Sequence, residues 1–341
     1  MTAAPLGAGA PQWIDAPAVA RLLSPAGAVD ALAAVLREGL DPESSPQRSA
    51  LPVPGGELLL MPAASESWVG VKVVGIAPDN PALGLPRITG GYLLLDGPTL
   101  RPVALLDGIA LTSLRTPAVS ALAVRHLASG DGPLRLVLFG SGPQAYAHLD
   151  VLLAVRELAE VVVVARNAEG ARRLVAYAEG LGVPKARTGT AYDVAGADLV
   201  VCCTTAREPL FDGRLVEPGA TVVAVGSHEP EAREVDTALV RRAEVYVESR
   251  TAALREAGDL LIPEAEGAIG PGHIAGTLAD LVAGRAPADP AAPRLFKSVG
   301  MAWEDLAVAV AVYRAAQLEA ASEAPEAADA ADADGGSVSE T

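Results

Sequence analysis

From residue 134 onward the chain alternates short, predominantly apolar runs with helical stretches, a rhythm that few folds can satisfy. Residues 134–139, 161–165, 199–203 and 221–225 read as strands, with 245–247 a further one, and helical patterns follow the first two, to about residue 156 and over 168–179. Strands with no polar face must be covered on both sides, and parallel neighbours need crossover helices, so the alternation predicts a parallel, doubly wound sheet. The first third keeps a different rhythm. Ser24-Pro25 caps a helix whose stripe of Val29, Leu32, Ala33 and Leu36 ends near Gly39. Runs at 57–61, 69–76, 88–95 and 102–106, separated by Pro, Gly and Asp-Asn signals, predict a largely antiparallel sheet, followed by a long helix from about 109 to 126. Past Gly272 the pattern predicts a helix at 274–282 that leads into residues 294–299 and a closing helix over 302–318. The expected class is therefore α/β: a Rossmann-type doubly wound nucleotide domain (119–293) inserted into a split α+β domain (1–118 and 294–320). Residues 319–341 hold seven acids and no base among Ala, Gly and Ser, so 321–341 is expected to be a disordered tail.

Charge and cysteine usage exclude several roles. With 26 Lys plus Arg against 42 Asp plus Glu, the formal charge is −16, which opposes binding to nucleic acid or an anionic membrane. Cys202 and Cys203 are adjacent in an apolar run, which excludes a disulfide framework, and His126, His148 and His273 lack metal-ligand spacing. No apolar stretch reaches about 20 residues and the first residues lack a basic, then apolar, leader, so a cytoplasmic location is expected.

The most informative motif is Gly140-Ser141-Gly142-Pro143-Gln144-Ala145, which follows an apolar run and opens a helix. In that setting the first Gly permits the tight turn and the second lets a pyrophosphate approach the backbone. The small sixth residue lets helix and strand pack closely. At the end of the next strand stand Arg166-Asn167, with no acid before Glu169. A guanidinium there suits a ribose 2′-phosphate, so NADP(H) is expected over NAD(H), although an exposed arginine that tolerates either cofactor is the competing reading.

Three cations stand out in the first third: Arg48 in a loop, Lys72 within an apolar strand, and Arg115 in the long helix. An unpaired ammonium at position 72 would be costly, and two guanidiniums with an ammonium in one cleft would hold a small carboxylate. Taken singly, each is more often a surface or ion-paired residue.

The segments LLLMP (58–62), VKVV (71–74), PDNPALGLP (78–86), ALLDGIALTSLRT (104–116), FGSGPQAYAHL (139–149), VGSHEPEAREVD (225–236) and FKSVGMAWEDLA (296–307) resemble the ornithine cyclodeaminase/μ-crystallin family, in that family's order. The resemblance implies a homodimer joined through the split domain's sheet. It also implies that Arg48, Lys72 and Arg115 hold the substrate carboxylate, and that Thr204, Val225-Gly226 and Ser298 line the nicotinamide end of the cofactor. Two departures matter. Where a true cyclodeaminase carries a substrate-binding glutamate and a catalytic aspartate, this chain has Leu59 and His228. The losses weaken ornithine cyclisation and leave carboxylate binding beside a dinucleotide. The expectation is an NADP(H)-dependent reductase of small α-imino acids, cyclic ketimines such as Δ1-pyrroline-2-carboxylate or alanine-dehydrogenase-like substrates, with Lys72 or His228 handling the proton. The alternatives are a cyclodeaminase-type lyase and a non-catalytic protein that binds NADPH and a small carboxylate. For His228 a bland packing role weighs equally with catalysis. Other residues carry bland expectations: Cys202-Cys203 as filler, His148 as a packing or helix-surface residue, and Glu304-Asp305 as first-turn acids meeting a helix dipole. Trp68 and Trp303 are open between the cleft and the dimer sheet.

Overall fold

The fold holds two hydrogen-bonded sheets, and the site depends on what each contributes. The computed structural model describes residues 10–270, 272–286, 289 and 291–323. The first strand, β1 (Gln12–Ile14), leads into α1 (Ala16–Leu22) and α2 (Pro25–Arg37), the latter capped by the Ser24 side chain and burying the expected stripe. Strands β2 (Ser49–Val53), β3 (Gly56–Ala64), β4 (Trp68–Ile76), β5 (Ile88–Asp96) and β6 (Pro102–Asp107) form an antiparallel meander, and β1 adds in parallel to β6. Helix α3 (Gly108–Leu127) follows directly, its first amides capped by the Asp107 carboxylate.

Period-two alternation gives this first sheet two distinct faces. Met61, Lys72, Tyr92, Leu106 and Ile14 are cross-strand partners in one row, all buried on the inward face. One residue along, Pro62, Val71, Leu93, Leu105 and Trp13 make the matching outward row, in which Leu105 and Trp13 are exposed. Both rows are apolar except for Lys72.

The second sheet is wholly parallel. It is built from β7 (Leu134–Phe139), α4 (Pro143–Leu153), β8 (Leu158–Val164), α5 (Ala168–Gly180), β9 (Ala186–Thr188), β10 (Leu199–Cys202), β11 (Thr221–Ala224), α6 (Thr237–Arg242), β12 (Glu244–Val247), α7 (Arg250–Glu256), α8 (Gly258–Ala265), β13 (Ile274–Thr277), α9 (Leu278–Val282) and β14 (Arg294–Lys297). Its strand order is β13-β12-β14-β11-β10-β7-β8-β9, so the order reverses between β7 and β10. Ligands of open α/β sheets sit outside the carboxyl ends of the strands at such a reversal. The closing helix α10 (Ala302–Glu323) leaves this sheet and packs across the inward face of β3, β4 and β5.

Several expectations are corrected. Residues 274–277 form strand β13 and only 278–282 are helical, because a four-residue apolar stretch carries no decisive period. The stretch at 294 belongs to the parallel sheet, where β14 lies between β11 and β12, so the expected closing segment of the split domain starts after Lys297. The expected cut at 118/119 falls inside the continuous helix α3. Helix α10 runs to Glu323, three residues into the expected tail, and the remainder of that tail lies outside the described residues. Among the described residues no single helix is long and apolar enough to cross a membrane.

Candidate active site

The carboxyl edge of the parallel sheet is shaped by close approaches of backbone. Gly140 has a φ of +112°, and a Cβ there would lie 2.6 Å from the Cys203 carbonyl oxygen, so only glycine lets the turn after β7 fit against the end of β10. Gly142 is different: a Cβ would meet nothing within 4 Å. The protein's own packing does not demand glycine at 142, whereas a phosphate brought up to the backbone would. Helix α4 starts at this point with Gly142 as an N-cap that supplies no side-chain hydrogen bond, leaving its first free amides for a ligand. These residues fit a dinucleotide pyrophosphate.

At the end of β8, Arg166 is exposed and has no ion-pair partner among the described residues. Asn167 caps α5 by accepting from the Gly170 amide, and Ser141 packs against Gly170. The first acid after the strand, Glu169, is engaged by Arg172 at 2.7 Å and Arg173 at 3.5 Å, which also lowers its pKa. The first acid after the strand is thus ion-paired within its own helix.

The turns after β10, β11 and β14 are joined by two buried glutamates that sequence reading passed over. Glu234 accepts from the Thr204 amide (2.8 Å), the Thr204 hydroxyl (2.7 Å) and the Gly226 amide (2.7 Å). A Cβ at Gly226 would lie 2.0 Å from the Thr204 carbonyl oxygen, so glycine is required there too. Glu248, just past β12, accepts from the Ser298 hydroxyl (2.5 Å) and from the amides of Val299 (2.8 Å) and Gly300 (3.0 Å). The Val225 amide donates to the Cys202 carbonyl oxygen and the Ser298 amide to that of Ala224, each at 3.1 Å, so Thr204, Val225-Gly226 and Ser298 follow neighbouring strand ends and form one rim.

The cations expected at the substrate meet this rim through the segment 298–305. Arg48 donates to the carbonyl oxygens of Val299 and Gly300, each at 2.8 Å, and pairs with Glu256 at 2.7 Å. Gly300, with a φ of +75°, lies under Arg115: a Cβ would stand 2.7 Å from the guanidinium Nη1. Arg115 pairs with Glu304 at 2.8 Å and with Asp305 at 3.3 Å, and the Nζ of Lys72 sits 2.8 Å from both oxygens of the same Asp305. Burial and then the Arg115 charge push the pKa of Lys72 down to about 8, against which Asp305 and Glu304 act. Arg115 moves the other way, held charged by Asp305, Glu304 and Glu248 against its burial. His228 follows β11 on an exposed turn, and partial desolvation, then Arg48, lower its pKa.

Asp305 is thus a fully buried counter-ion of Lys72 and Arg115, and Glu304 is fully buried against Arg115, which corrects the helix-dipole reading. The sequence did carry a signal: a buried lysine in an apolar strand requires an acid somewhere, and Glu304-Asp305 precede a wholly apolar helical run. His148 is buried, with Nε2 2.9 Å from the Ser120 hydroxyl and Nδ1 2.7 Å from the Gln144 carbonyl oxygen, pinning α4 to α3. Its pKa falls to about 4, mainly through burial. Cys202 is buried in the core, Trp303 is buried, and Trp68 packs edge-on against Tyr313 of α10.

Residues 23–319 match the model of the ornithine cyclodeaminase/mu-crystallin family. The chain belongs to that family. A Delta(1)-pyrroline-2-carboxylate reductase of Colwellia psychrerythraea is 38% identical over 260 residues, covering 74% of this chain and 82% of that protein. The ketimine reductase mu-crystallin of Mus musculus is 35% identical over 272 residues, covering 79% and 84%. Among solved structures, the Delta(1)-pyrroline-2-carboxylate reductase of Thermococcus litoralis in complex with NADH and L-proline superposes with a TM-score of 0.84 at 31% identity, covering 91% of this chain and 98% of that one.

Proposed function

We propose that this chain, an oxidoreductase acting on C=N bonds, reduces small α-imino acids such as Δ1-pyrroline-2-carboxylate with NADP(H). The observation that carries the reading is the segment 298–305, where the rim of the nucleotide sheet and a buried pair of cations share one turn. Arg115 and Arg48 hold the substrate carboxylate, the planar guanidinium of Arg115 presenting its remaining N–H groups beside Gly300. Fixing the carboxylate fixes the adjoining imine carbon against the rim formed by Thr204, Gly226 and Ser298, and proximity supplies much of the rate. When bound, the reduced nicotinamide supplies the hydride. With a pKa of about 8, Lys72 is mostly protonated at neutral pH, and its Nζ holds the proton that keeps the imine electrophilic. His228, its pKa lowered, is neutral under the same conditions and serves as a hydrogen-bond acceptor at the rim.

The missing acidic anchor argues against a cyclodeaminase. Leu59 is buried in β3 beside Val74 and Ala50, offering nothing to a side-chain amine. Following NADPH and NADH oxidation across cyclic imino acids, and across 2-oxo acids with amines, tests substrate class and cofactor together. Consumption of NADPH with a cyclic imino acid is the expected result; ammonia release from ornithine without net cofactor turnover overturns it. Binding of both ligands without turnover would establish the non-catalytic alternative.

The outward apolar row of the first sheet favours a homodimer, since an exposed apolar sheet face of this breadth is costly in a monomer. Leu93→Glu should halve the mass seen by light scattering; an unchanged mass removes this face from the interface. A cytoplasmic location goes with the same reading.

A further inference from the structure

The proposed chemistry uses Lys72 and Arg115 but leaves three buried carboxylates beside them unexplained. Glu248, Glu304 and Asp305 are each 0–1% exposed, and the cations that reach them are Lys72 and Arg115 alone among the described residues. Were all three acids ionised, this buried cluster would carry an excess negative charge, which is expensive to bury and repels an incoming anion. The hydrogen bonds show which acid carries the extra proton. Glu248 accepts from three donors, the Ser298 hydroxyl and the Val299 and Gly300 amides, and so is stabilised as the anion. Asp305 accepts from Lys72 with both oxygens and lies 3.3 Å from Arg115. Glu304 receives only the Arg115 Nη1 at Oε2, and its Oε1 is buried with no donor reaching it. A bare carboxylate oxygen in that position is unfavourable, whereas a protonated one donates.

We infer that Glu304 is held as the neutral acid, sharing its proton with Glu248, and that this neutrality spares the site a net negative charge that would repel a substrate carboxylate. The inference rests on the reading of Arg115 as a carboxylate ligand. With Glu304 neutral, Lys72 and Arg115 balance Asp305 and the Glu248 anion and the cluster sums to zero; with Glu304 ionised it sums to one negative charge. Glu304 is thus a positioning residue that sets how strongly the site attracts a monoanion. Burial, then Glu248, hold its pKa well above the ordinary carboxylate range, and Arg115 opposes them. The charged groups facing it are Glu248 after β12, Arg115 on α3 and Asp305 on its own helix, with Lys72 of β4 behind Asp305.

Infrared difference spectroscopy on the ligand-free protein tests the protonation directly. At neutral pH the carbonyl stretch of a buried carboxylic acid is expected, shifting on 13C-glutamate labelling and vanishing in Glu304→Gln. Absence of such a band from the labelled wild-type protein overturns the inference, even if no variant folds. The role is tested by rescue. Glu304→Ala should raise KM for the imino acid about tenfold with kcat less affected, and the neutral isostere Glu304→Gln should recover most of that loss. A Gln variant that binds NADPH normally yet is no better than Ala overturns the role. Because the band is read without substrate, it stands or falls independently of the imino-acid reading. A band present with no imino-acid turnover at all would condemn the reading of the substrate and leave the shared proton in place.

Discussion

Among the described residues two lysine–aspartate pairs are buried, and they differ instructively. Lys297, at the end of β14, lies 2.8 Å from Asp259 and donates to the Ser227 carbonyl oxygen at 2.6 Å, while Asp259 also accepts from the amides of Glu234 and Val235. Lys72 lies 2.8 Å from Asp305, but a second cation, Arg115, competes for the same carboxylate, and burial and then the Arg115 charge lower the pKa of Lys72. The first pair closes on itself and locks loops together. The second is crowded by like charge, an arrangement that makes sense where a further anion is to be bound. Equal burial and equal distance thus accompany opposite duties, and the neighbours decide which.

The contrast predicts that function and stability respond to the two lysines in opposite ways. Lys72→Met should lower kcat/KM on the order of 10²- to 10⁴-fold while NADPH affinity, measured by fluorescence titration, barely changes. Its stability to urea should be unchanged or higher, because Asp305 keeps Arg115 and the cost of burying an ammonium beside that guanidinium is gone. Unchanged turnover removes Lys72 from the chemistry. Lys297→Met should instead cost about 3–5 kcal/mol in urea unfolding, since it strands the Asp259 charge in the core. Adding Asp259→Leu should restore part of that loss. If Lys72→Met proves as destabilising as Lys297→Met, the distinction between an open and a closed pair is wrong.

A pH series sharpens the same comparison. kcat/KM should fall as pH rises through about 8, where Lys72 gives up its proton, and Lys72→Arg should move that limb to higher pH. The stability effect has the opposite sign. The native pKa lies below the ordinary lysine value of 10.5, so over the interval from about 8 to 10.5 the unfolded chain binds more protons and Lys72 destabilises progressively less. A kinetic limb unaltered by Lys72→Arg would assign the titration to another group.

How much of this was legible in the sequence varied with the physics of each element. Long apolar runs such as β7 and the capped, striped α2 announce themselves because burial and periodicity coincide. The three-residue strands β1 and β9 and the wholly exposed β2 carry no such pattern, and their place comes from the strands beside them. The cations of the site were readable because a charge in an apolar strand demands explanation. Their counter-ions were not: Lys72 and Asp305 are 233 residues apart, and nothing local in a first-turn Glu-Asp pair separates a dipole partner from a buried counter-ion. Glu234 and Glu248 were invisible for the same reason, since each bonds mainly to backbone that only the fold brings near.

The smallest effect belongs to the nucleotide end, where the contrast with the buried pairs is sharpest. Arg166 is exposed, so its attraction for a 2′-phosphate is screened by solvent and salt, and is worth far less than a buried pair. Arg166→Ala should raise KM for NADPH by about threefold to tenfold and leave KM for NADH unchanged, since only NADPH carries the extra phosphate. Raising ionic strength should shrink the difference in the wild type and have little effect in the variant. The direction follows from local charge: Arg166 stands at the strand end, and the first acid after it, Glu169, is already engaged by Arg172 and Arg173. Equal or better use of NADH by the wild-type protein would mean that an exposed guanidinium at the strand end tolerates the phosphate without selecting it.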